Sequence, residues 1–397
     1  DTPHPYKGHD GPLSVTDGRL TNPLHTRFLM AAEQAGYRRR DDLNDNEQEG
    51  FGTLPMTVSN GIRASTALSY LFPASHRENL NILSNALTTK ILFDGSQARG
   101  AAVVRRGTTT KLYADQVFLC AGAINSPQLL MLSGIGPAEH LHEHGITVRQ
   151  DLPGVGQNLM DHLEIYVQQA CTQPLSLYRN LGLFGRAKIG LEWVLTRSGL
   201  GATNHFETGG FIRSSDAVPY PDIQFHFLPA AMQYDGSARS AEHGFQAHVG
   251  PTLSVSRGQI SLVNTDPQQP PLIRFNYMSE QPDWVVFRSA IRAARDIFAQ
   301  PAFDDVRGGE IRPGADAQTD SELDHFVREH AESAYHPCGT CRMGIDNESV
   351  VDSKGKLHGV SNLHIVDASI FPHITNGNLN APVIMAAEKI ADDWLLK

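Results

Sequence analysis

The sequence predicts an α/β chain (α+β overall), in which part of a doubly wound unit is combined with an antiparallel sheet backed by helices. Gln116–Cys120 is an almost continuous apolar run that leads through small residues into a helical stretch, as in such units. A second short apolar strand, Leu363–Ser369, ends in an acid and two small residues. Between them, from about residue 163 to residue 312, aromatic residues and alternating strands predominate, which favours an antiparallel sheet.

Composition limits the class of protein. The chain has 397 residues, of which 40% are hydrophobic and 19% charged, so it can bury a large core and form two intertwined domains. A formal net charge of −10 argues against a nucleic acid partner, which requires a basic surface. Four cysteines are too few for a disulfide framework in a chain of this length. We therefore expect a reducing, cytoplasmic location. Peripheral attachment to an inner membrane is a further possibility that the sequence leaves open.

The first third of the chain contains one helix and several short strands. Apolar residues at helical spacing predict a helix over residues 23–36, which ends at Gly36. Asp94-Gly95 predicts a tight hairpin turn. The predicted strands are Asn81–Leu83, Lys90–Phe93, Ala101–Arg105 and Gln116–Cys120.

A helix is predicted after the last of these strands. Ser126 is a suitable N-cap, Pro127 a suitable first helical residue, and Gly134 a suitable end. A strand, a turn of small residues and a helix in this order present backbone N–H groups to phosphate.

The later elements are predicted from periodicity and capping. Strands are expected at Ile223–Leu228 and Gln259–Val263, and a long helix from about Pro282 to Gln300. Thr319-Asp320-Ser321-Glu322 is a capping box that opens a helix before His336. Asn380 is the expected N-cap of a final helix that runs to about residue 396.

His336 and Asn378 are the candidate catalytic residues. Alcohol oxidation removes a hydroxyl proton and a hydride, and an imidazole can take the proton near neutral pH. The Asn378 amide can donate a hydrogen bond to the negative charge that develops on the oxygen. His336 could instead be one of 18 histidines packed in a loop, and Asn378 a turn residue in left-handed conformation after Gly377.

Several segments resemble the glucose-methanol-choline (GMC) oxidoreductases, and most closely their bacterial choline dehydrogenase branch. The resemblance depends on Ala334–Gly344, Asn376–Pro382 and a second family signature at Ala121–Gly136, and it extends along nearly the whole chain. It departs from that branch at Cys338-Gly339, where choline dehydrogenases carry Ser-Cys after the His-Pro pair.

The resemblance implies FAD as the cofactor and a division into three parts. Residues 1–160 would be part of the FAD-binding domain, residues 161–312 the substrate-binding domain, and residues 313–397 the C-terminal part of the FAD-binding domain that carries the catalytic residues. The implied Rossmann-like FAD-binding domain is incomplete. The residues implied in cofactor binding are Ala86, Ala121, Gly122, Asp367, Ala368, Asn380, Ala381 and Pro382.

The expected G-x-G-x-x-G fingerprint for the ADP half of FAD is absent. Gly134-Ile135-Gly136 and Gly154-Val155-Gly156 both lack the third glycine. By the resemblance, on the order of 100 or more residues of the first Rossmann half would be missing. Either a separate chain carries them, or proteolysis or disorder has removed them from this one.

Two further sets of residues are candidates for ligand binding. Glu207 could hold a quaternary ammonium group, with Tyr335 supplying an aromatic face. Glu207 could equally be a surface strand residue paired with Arg213. His336-x-Cys338-x-x-Cys341 lacks a fourth ligand at typical zinc spacing, so we predict no metal site and two buried cysteines.

These observations predict an FAD-dependent oxidation of a primary alcohol, choline to betaine aldehyde, with electrons passing to a quinone or another acceptor. The alternatives left open are a GMC dehydrogenase or oxidase for a different primary alcohol, a hydroxynitrile lyase, or a flavin-free binding fragment.

Overall fold

The computed structural model describes residues 6–233 and 243–396, which form two compact units. The chain passes between the units several times. The first unit comprises Asp1–Asn81, Leu163–Pro251 and Trp284–Glu332, and the second comprises Ile82–His162, Thr252–Asp283 and Ser333–Lys397.

A seven-stranded sheet forms the centre of the first unit. Neighbouring strands of its main path are antiparallel, for example with Gln224 opposite Gly250. The predicted antiparallel sheet is thereby confirmed, and Ile223–Leu228 has the predicted bounds. In spatial order the strands are Arg307–Arg312, Leu163–Cys171, Gly244–Pro251, Ile223–Leu228, Thr208–Ile212 and Gly50–Thr53, with Glu332–Ser333 beside Leu163–Cys171.

Helices pack against this sheet through an aromatic core. Phe28 stacks on Phe227 with ring centroids 4.5 Å apart, and Phe245 stacks on Phe303 at 4.7 Å. Each of these rings is fully buried, so the core contributes to stability mainly by removing apolar area from water. The helices of this unit are Pro23–Gln34, Leu183–Thr196, Gln281–Ala299 and Asp320–His330.

Local sequence signals explain where two of these helices begin. The Asn22 side chain accepts a hydrogen bond from the Leu24 N–H, and Pro23 occupies the first helical position. Thr319 and Glu322 form the predicted capping box at the start of Asp320–His330. The shorter elements of the unit are Thr16–Asp17, Pro55–Met56, Val58–Ser59, Ile62–Arg63, Ala67–Leu71, Phe72–Ala74, Leu177–Asn180, Gly199–Ala202 and Pro301–Phe303.

The second unit contains a parallel strand pair at its centre. Val117–Leu119 runs parallel to Leu363–Ile365, which is the arrangement expected of a doubly wound fold. Apolar side chains from both strands join one continuous core. The other elements are the antiparallel sheet Leu87–Asp94, Gln97–Arg105 and Thr108–Tyr113, the pairs Ile135–Gly136 with Gln150–Asp151 and Gln259–Ser261 with Leu272–Arg274, and the helices Gly122–Leu132, Ala138–Glu143, Ala368–Ile370 and Asn380–Leu395.

The units divide the chain differently from the predicted boundaries at residues 160 and 312. The chain up to residue 81 lies with the large sheet because Gly50–Thr53 pairs with Thr208–Ile212. Residues 252–283 lie in the second unit, where the Ile260 N–H donates to the Gly156 carbonyl at 2.7 Å. The assignment of either unit to cofactor or substrate stays a prediction.

Three local predictions were wrong. Asn81–Leu83 forms no strand and is exposed, because the hairpin sheet starts only at Leu87. The helix predicted to be capped by Ser126 begins at Gly122, since the Ser126 hydroxyl donates to Asp367 instead. Asn380 does not cap the last helix: it is the first helical residue, and no side chain caps this end.

Pro127 therefore lies inside the helix Gly122–Leu132 and not at its start. Proline has no N–H to donate to the carbonyl four residues earlier, that of Ala123. The Thr340 hydroxyl donates to this carbonyl at 2.5 Å and is fully buried. A side chain more than 200 positions away thus supplies the hydrogen bond that the helix lacks.

Within the described residues, no helix is both long enough and apolar enough to cross a bilayer.

Thr340→Val should lower the free energy of unfolding by about 1–3 kcal/mol, because valine keeps the shape but leaves the Ala123 carbonyl unpaired. Urea denaturation followed by tryptophan fluorescence measures the change. Thr110→Val, on an exposed strand, is the matched control and should stay within about 0.5 kcal/mol of the wild type. Equal stability of the two variants would contradict this role of Thr340.

Candidate active site

The segment that carries His336 is fixed by backbone pairing within the second unit. Cys338 and Met160 exchange two backbone hydrogen bonds, of 2.9 and 3.0 Å. The Ala334 N–H donates to the His162 carbonyl at 2.9 Å. The segment therefore runs as a short antiparallel partner of residues 160–162, with His336 between its two points of attachment.

The Asp161 carboxylate holds this segment through four hydrogen bonds. One oxygen accepts from the backbone N–H groups of His162 and His336, at 2.9 and 2.8 Å. The other accepts from the hydroxyls of Tyr277 and Ser333, both at 2.6 Å. Because Asp161 is buried and its oxygens are occupied by protein donors, it acts as a clamp and not as a base.

The clamp fixes an uncommon backbone conformation next to His336. Tyr335 has φ of 61°, in the left-handed region that a bulky residue adopts at a cost of about 1–2 kcal/mol. Its N–H donates to the Ser333 hydroxyl at 2.9 Å, and that hydroxyl donates to Asp161. The side chain of Tyr335 is 72% exposed.

The ring of His336 contacts the ring of His162. Their Nδ1 atoms are 2.8 Å apart, and the ring planes are nearly perpendicular at 88°. The Nε2 atom of His162 lies 2.9 Å from the Thr252 carbonyl oxygen. His336 Nε2 points the other way, to the Nδ2 atom of Asn378 at 3.5 Å. The two predicted catalytic residues are thus adjacent.

The loop that carries Asn378 is also bonded to Thr252. The Thr252 hydroxyl donates to the Asn376 side-chain oxygen at 2.5 Å. Gly377 takes the positive φ of the turn, 142°, while Asn378 does not have a positive φ. The alternative that Asn378 is there to adopt a left-handed conformation is therefore wrong.

A second carboxylate orders the turn predicted to contact the cofactor. Asp367 accepts from the Gly122 N–H at 2.9 Å and from the Ser126 hydroxyl at 2.5 Å. Its other oxygen accepts from the Ser369 N–H at 2.8 Å. Asp367 is 7% exposed and lies just beyond its strand. Its carboxylate therefore shapes the Ala121–Gly122 turn.

The catalytic segment continues alongside the predicted cofactor residues. The Gly339 N–H donates to the Ala368 carbonyl at 3.1 Å, and the Cys341 N–H donates to the Ser369 carbonyl at 2.8 Å. Cys338 and Cys341 are fully buried, and burial raises the pKa of the Cys338 thiol to about 12. A protonated thiol is a weak nucleophile at neutral pH.

In residues 6–233 and 243–396, no three acidic, histidine or cysteine side chains are grouped so that they could hold a metal ion.

Two features of the second unit bear on cofactor binding, the turn at Gly122 and the start of the last helix. Gly122 has φ of 82°, and nothing lies within 4 Å of the position that a Cβ would occupy. Asn380 and Ala381 are exposed at the uncapped start of Asn380–Leu395, where free N–H groups favour an acceptor or negative charge. Pro382 follows in the first turn of this helix, and Ala86 directly precedes the strand Leu87–Asp94. An open turn and an uncapped helix start fit FAD.

Glu207 lies in the first unit, immediately before the strand Thr208–Ile212. Its carboxylate is fully buried and accepts three hydrogen bonds: from the Thr21 N–H at 2.6 Å, the Thr21 hydroxyl at 2.9 Å and the Thr203 hydroxyl at 2.7 Å. Arg213 pairs with Glu49 at 3.0 Å, so the alternative of a surface Glu207–Arg213 pair is wrong.

A buried histidine accompanies Glu207. His25 Nε2 lies 3.9 Å from Glu207 Oε2, and His25 Nδ1 shares a hydrogen bond with the Thr208 hydroxyl at 2.8 Å. Burial lowers the pKa of His25 to about 4. Burial alone would raise the pKa of Glu207, but hydrogen bonds from Thr203 and Thr21 lower it below its ordinary value. The pair is therefore a carboxylate beside a neutral imidazole.

Sequence reasoning missed three residues of this site: Asp161, His162 and Thr252. The acid–histidine pair at 161–162 carried a signal, because it lies within a stretch that resembles the family. No pattern in the sequence indicates that the Thr252 carbonyl and hydroxyl each bind a different part of the site. Glu207 and Tyr335, predicted together, fall in different units.

Sequence models of one family match most of the chain. Residues 4–164 match the N-terminal model and residues 254–387 the C-terminal model of the family described as GMC oxidoreductase. Together the two matched segments include Asp161, His162, His336 and Asn378.

Curated relatives agree with this match. The chain is 53% identical over 393 residues to the oxygen-dependent choline dehydrogenase of Brucella ovis, covering 98% of this chain and 71% of that protein. It is 55% identical over 395 residues to the oxygen-dependent choline dehydrogenase of Yersinia pestis, covering 98% and 70%.

Solved structures share the fold. Pyridoxine 4-oxidase from Mesorbium loti superposes with a TM-score of 0.87 at 30% identity, covering 98% of this chain and 73% of that chain. A structure concerned with FAD modification in Aspergillus oryzae formate oxidase superposes with a TM-score of 0.90 at 26% identity, covering 97% and 72%.

The low pKa of His25 predicts a loss of stability in acid. Between the ordinary pKa of 6.5 and the folded value of about 4, the unfolded chain binds a proton at this position that the native chain does not. Stability should therefore fall as the pH drops through this window, by up to roughly 3 kcal/mol from His25. His25→Asn should reduce the slope of unfolding free energy against pH there, whatever its stability at pH 7.

Urea denaturation at pH values from about 7 to about 4 measures this slope. His76→Asn, at an exposed histidine, is the matched control and should keep the wild-type slope. If His25→Asn and His76→Asn give the same slope, His25 is not the group responsible.

Proposed function

The chain belongs to the GMC oxidoreductases, and from this premise we propose that it oxidises choline to betaine aldehyde, with His336 as the base. It is an FAD-dependent oxidoreductase that acts on alcohols. The observation that carries the assignment of the base is the adjacency of His336 Nε2 and the Asn378 amide in a segment clamped by Asp161.

FAD, when bound, supplies the acceptor for the hydride that leaves the alcohol carbon. The residues that would hold it are the open Ala121–Gly122 turn, Ala368, and the start of Asn380–Leu395. Asp367 would act on the cofactor indirectly, because its carboxylate is occupied by Gly122, Ser126 and Ser369. Ala86 and Pro382 stay proposed contacts from the family resemblance.

His336 takes the hydroxyl proton of the alcohol at Nε2. The ring is held at Nδ1 by His162 and its backbone by Asp161, so the accepting atom has a fixed position before the substrate arrives. A fixed base avoids the loss of ordering entropy at the moment of proton transfer.

Asn378 stabilises the oxygen that loses the proton. Its amide group is exposed and lies 3.5 Å from His336 Nε2, so one alcohol oxygen could receive a hydrogen bond from the amide while it donates to the imidazole. Such preorganised donors contribute most where negative charge develops.

The substrate assignment is supported by the names of the relatives and by charge. Proteins 53–55% identical to this chain are choline dehydrogenases. Glu207 supplies a buried negative charge in the first unit, and Tyr335 an exposed ring in the second. A quaternary ammonium group cannot donate a conventional hydrogen bond, so a carboxylate already satisfied by Thr21 and Thr203 can still attract it through its charge.

A quinone or another electron acceptor completes the proposed cycle. Oxidase activity is the second candidate, because the relatives are named oxygen-dependent and the superposed structures include oxidases. Choline turnover measured with a dye in the presence and absence of oxygen distinguishes the two.

Anaerobic choline should bleach the oxidised flavin absorption band of the purified protein. His336→Ala should slow this bleaching by roughly 10²–10⁴-fold, as expected for loss of a general base. Asn378→Ala should slow it less and keep the flavin bound. Stopped-flow absorbance measures both rates, and His373→Ala, at a nearby exposed histidine, is the control.

A band that choline leaves oxidised would reject choline as the substrate. Near-normal bleaching in His336→Ala would reject His336 as the base, and loss of flavin from Asn378→Ala would assign Asn378 a structural role.

Glu207→Gln should raise KM for choline about tenfold or more while changing KM for 3,3-dimethylbutan-1-ol, its uncharged counterpart, by less than about threefold. The Thr21 and Thr203 hydroxyls can rotate to bond a glutamine, so the local structure should persist. Steady-state kinetics with both alcohols measure the difference. Equal changes for the two alcohols would show that Glu207 acts through packing and not through charge.

A further inference from the structure

We propose that His162 is a positioning residue that fixes the tautomer of His336, so that the lone pair of His336 lies on Nε2. The tautomer of His336 is a property of the folded chain, and only the effect of this tautomer on turnover rests on the proposed function. It follows from the hydrogen-bonding atoms around the two rings, taken in order from the carbonyl of Thr252.

The first step is the tautomer of His162. Its Nε2 atom lies 2.9 Å from the Thr252 carbonyl oxygen, and a carbonyl can only accept a hydrogen bond. His162 Nε2 therefore carries the hydrogen. The ring is 5% exposed, so this bond is shielded from competing water. In the neutral ring, Nδ1 of His162 is then left with the lone pair.

The second step is the hydrogen between the rings. The two Nδ1 atoms are 2.8 Å apart, which is a hydrogen-bonding distance and requires one hydrogen between them. Because His162 Nδ1 has the lone pair, the hydrogen belongs to His336 Nδ1. A neutral His336 is consequently unprotonated at Nε2, which is the atom beside the Asn378 amide.

A lone pair on His336 Nε2 favours the reaction. In water, a free imidazole side chain of histidine favours the hydrogen on Nε2, which would occupy the atom that must take the proton. The contact with His162 reverses this preference before the substrate binds. A base with its lone pair already placed needs no rearrangement in the transition state.

That the partner of His336 is a neutral imidazole, His162, has a second consequence. After His336 takes the proton, its Nδ1–H still donates to His162, whose other nitrogen donates to the Thr252 carbonyl. Along this chain of hydrogen bonds, the positive charge is stabilised by the dipoles of the His162 ring and the Thr252 carbonyl. A carboxylate in the position of His162 would bind the charged ring more tightly and oppose return of the proton at the end of the cycle.

The neighbouring residues hold both rings in this register. One oxygen of Asp161 binds the backbone N–H groups of His162 and His336, so the two side chains leave the backbone from a common anchor. Thr252 binds His162 through its carbonyl and the Asn376 side chain through its hydroxyl. His336, His162 and the loop that carries Asn378 are thereby connected within the second unit.

Three variants test the inference. His162→Leu removes the acceptor for His336 Nδ1–H. His162→Asn places an amide oxygen as far along the side chain as Nδ1 and can restore it. His358→Leu is the matched control, because His358 Nε2 also bonds a carbonyl, that of Gly344, in the same unit but apart from the site.

The first measurement is the tautomer itself, by ¹⁵N NMR of histidine-labelled protein at about pH 9, where an ordinary imidazole is neutral. His336→Gln assigns the signal. We expect His336 to be protonated at Nδ1 in the wild type, in His162→Asn and in His358→Leu, and at Nε2 in His162→Leu. An Nε2-protonated His336 in the wild type, or an unchanged tautomer in His162→Leu, would overturn the inference.

The second measurement is the rate of choline oxidation. His162→Leu should lower kcat roughly 10- to 1,000-fold with KM changed by less than about threefold, since the tautomer affects proton transfer and not binding. His162→Asn should recover at least about tenfold of this loss. Equal loss in both variants, with the NMR tautomers as expected, would mean that the tautomer does not limit turnover and would overturn the catalytic part.

The two measurements separate this inference from the proposed function. The NMR experiment needs neither alcohol nor turnover, so its outcome stands even if choline is not the substrate. Urea denaturation of each variant measures its unfolding midpoint. A general loss of folding would lower the midpoints of both His162→Leu and His162→Asn.

Discussion

The buried carboxylate of Asp161 is the constraint on which the candidate site depends. A buried carboxylate without donors would be unstable, so its four hydrogen bonds bring Tyr277 and the segment with Ser333 and His336 to the neighbourhood of Asp161 and His162. Two of the donor groups are the backbone of His162 and His336, and the others are the hydroxyls of Tyr277 and Ser333. The same interaction therefore satisfies a buried charge and fixes the base. It also maintains the positive φ of Tyr335, which would otherwise relax.

Much of the fold could be predicted from local patterns. Ile223–Leu228 and the capping box at Thr319 were correct because alternation and capping are local properties of the chain. The cap at Ser126 was wrong because its hydroxyl bonds Asp367, 241 positions away, which no local signal shows. His336 and Asn378 were recognisable from motifs, but the contact of His336 with His162 spans 174 positions and depends on the tertiary fold.

Two of the buried acids in the second unit, Asp161 and Asp367, have complementary roles. Asp161 orders the segment of the base, and Asp367 orders the turn at Gly122. The backbone bond from Gly339 to Ala368 connects these two regions, and the Thr340 hydroxyl completes the helix that follows the turn. The two regions are therefore connected directly through the backbone. The reactive geometry is a property of this connected set and not of the base alone.

Glu207 shows why a residue type in a motif does not determine its role. The sequence indicates a carboxylate that could face a cation, whereas the structure places it among Thr21, Thr203 and a neutral His25. A carboxylate satisfied by neutral donors keeps its full charge, while one paired with an arginine would have that charge neutralised. The pairing of Arg213 with Glu49 leaves Glu207 in the first situation. Its surroundings thus preserve a negative potential in the first unit, and its hydrogen bonds are complete without a ligand. A carboxylate of this kind can attract a cation at long range without binding it directly.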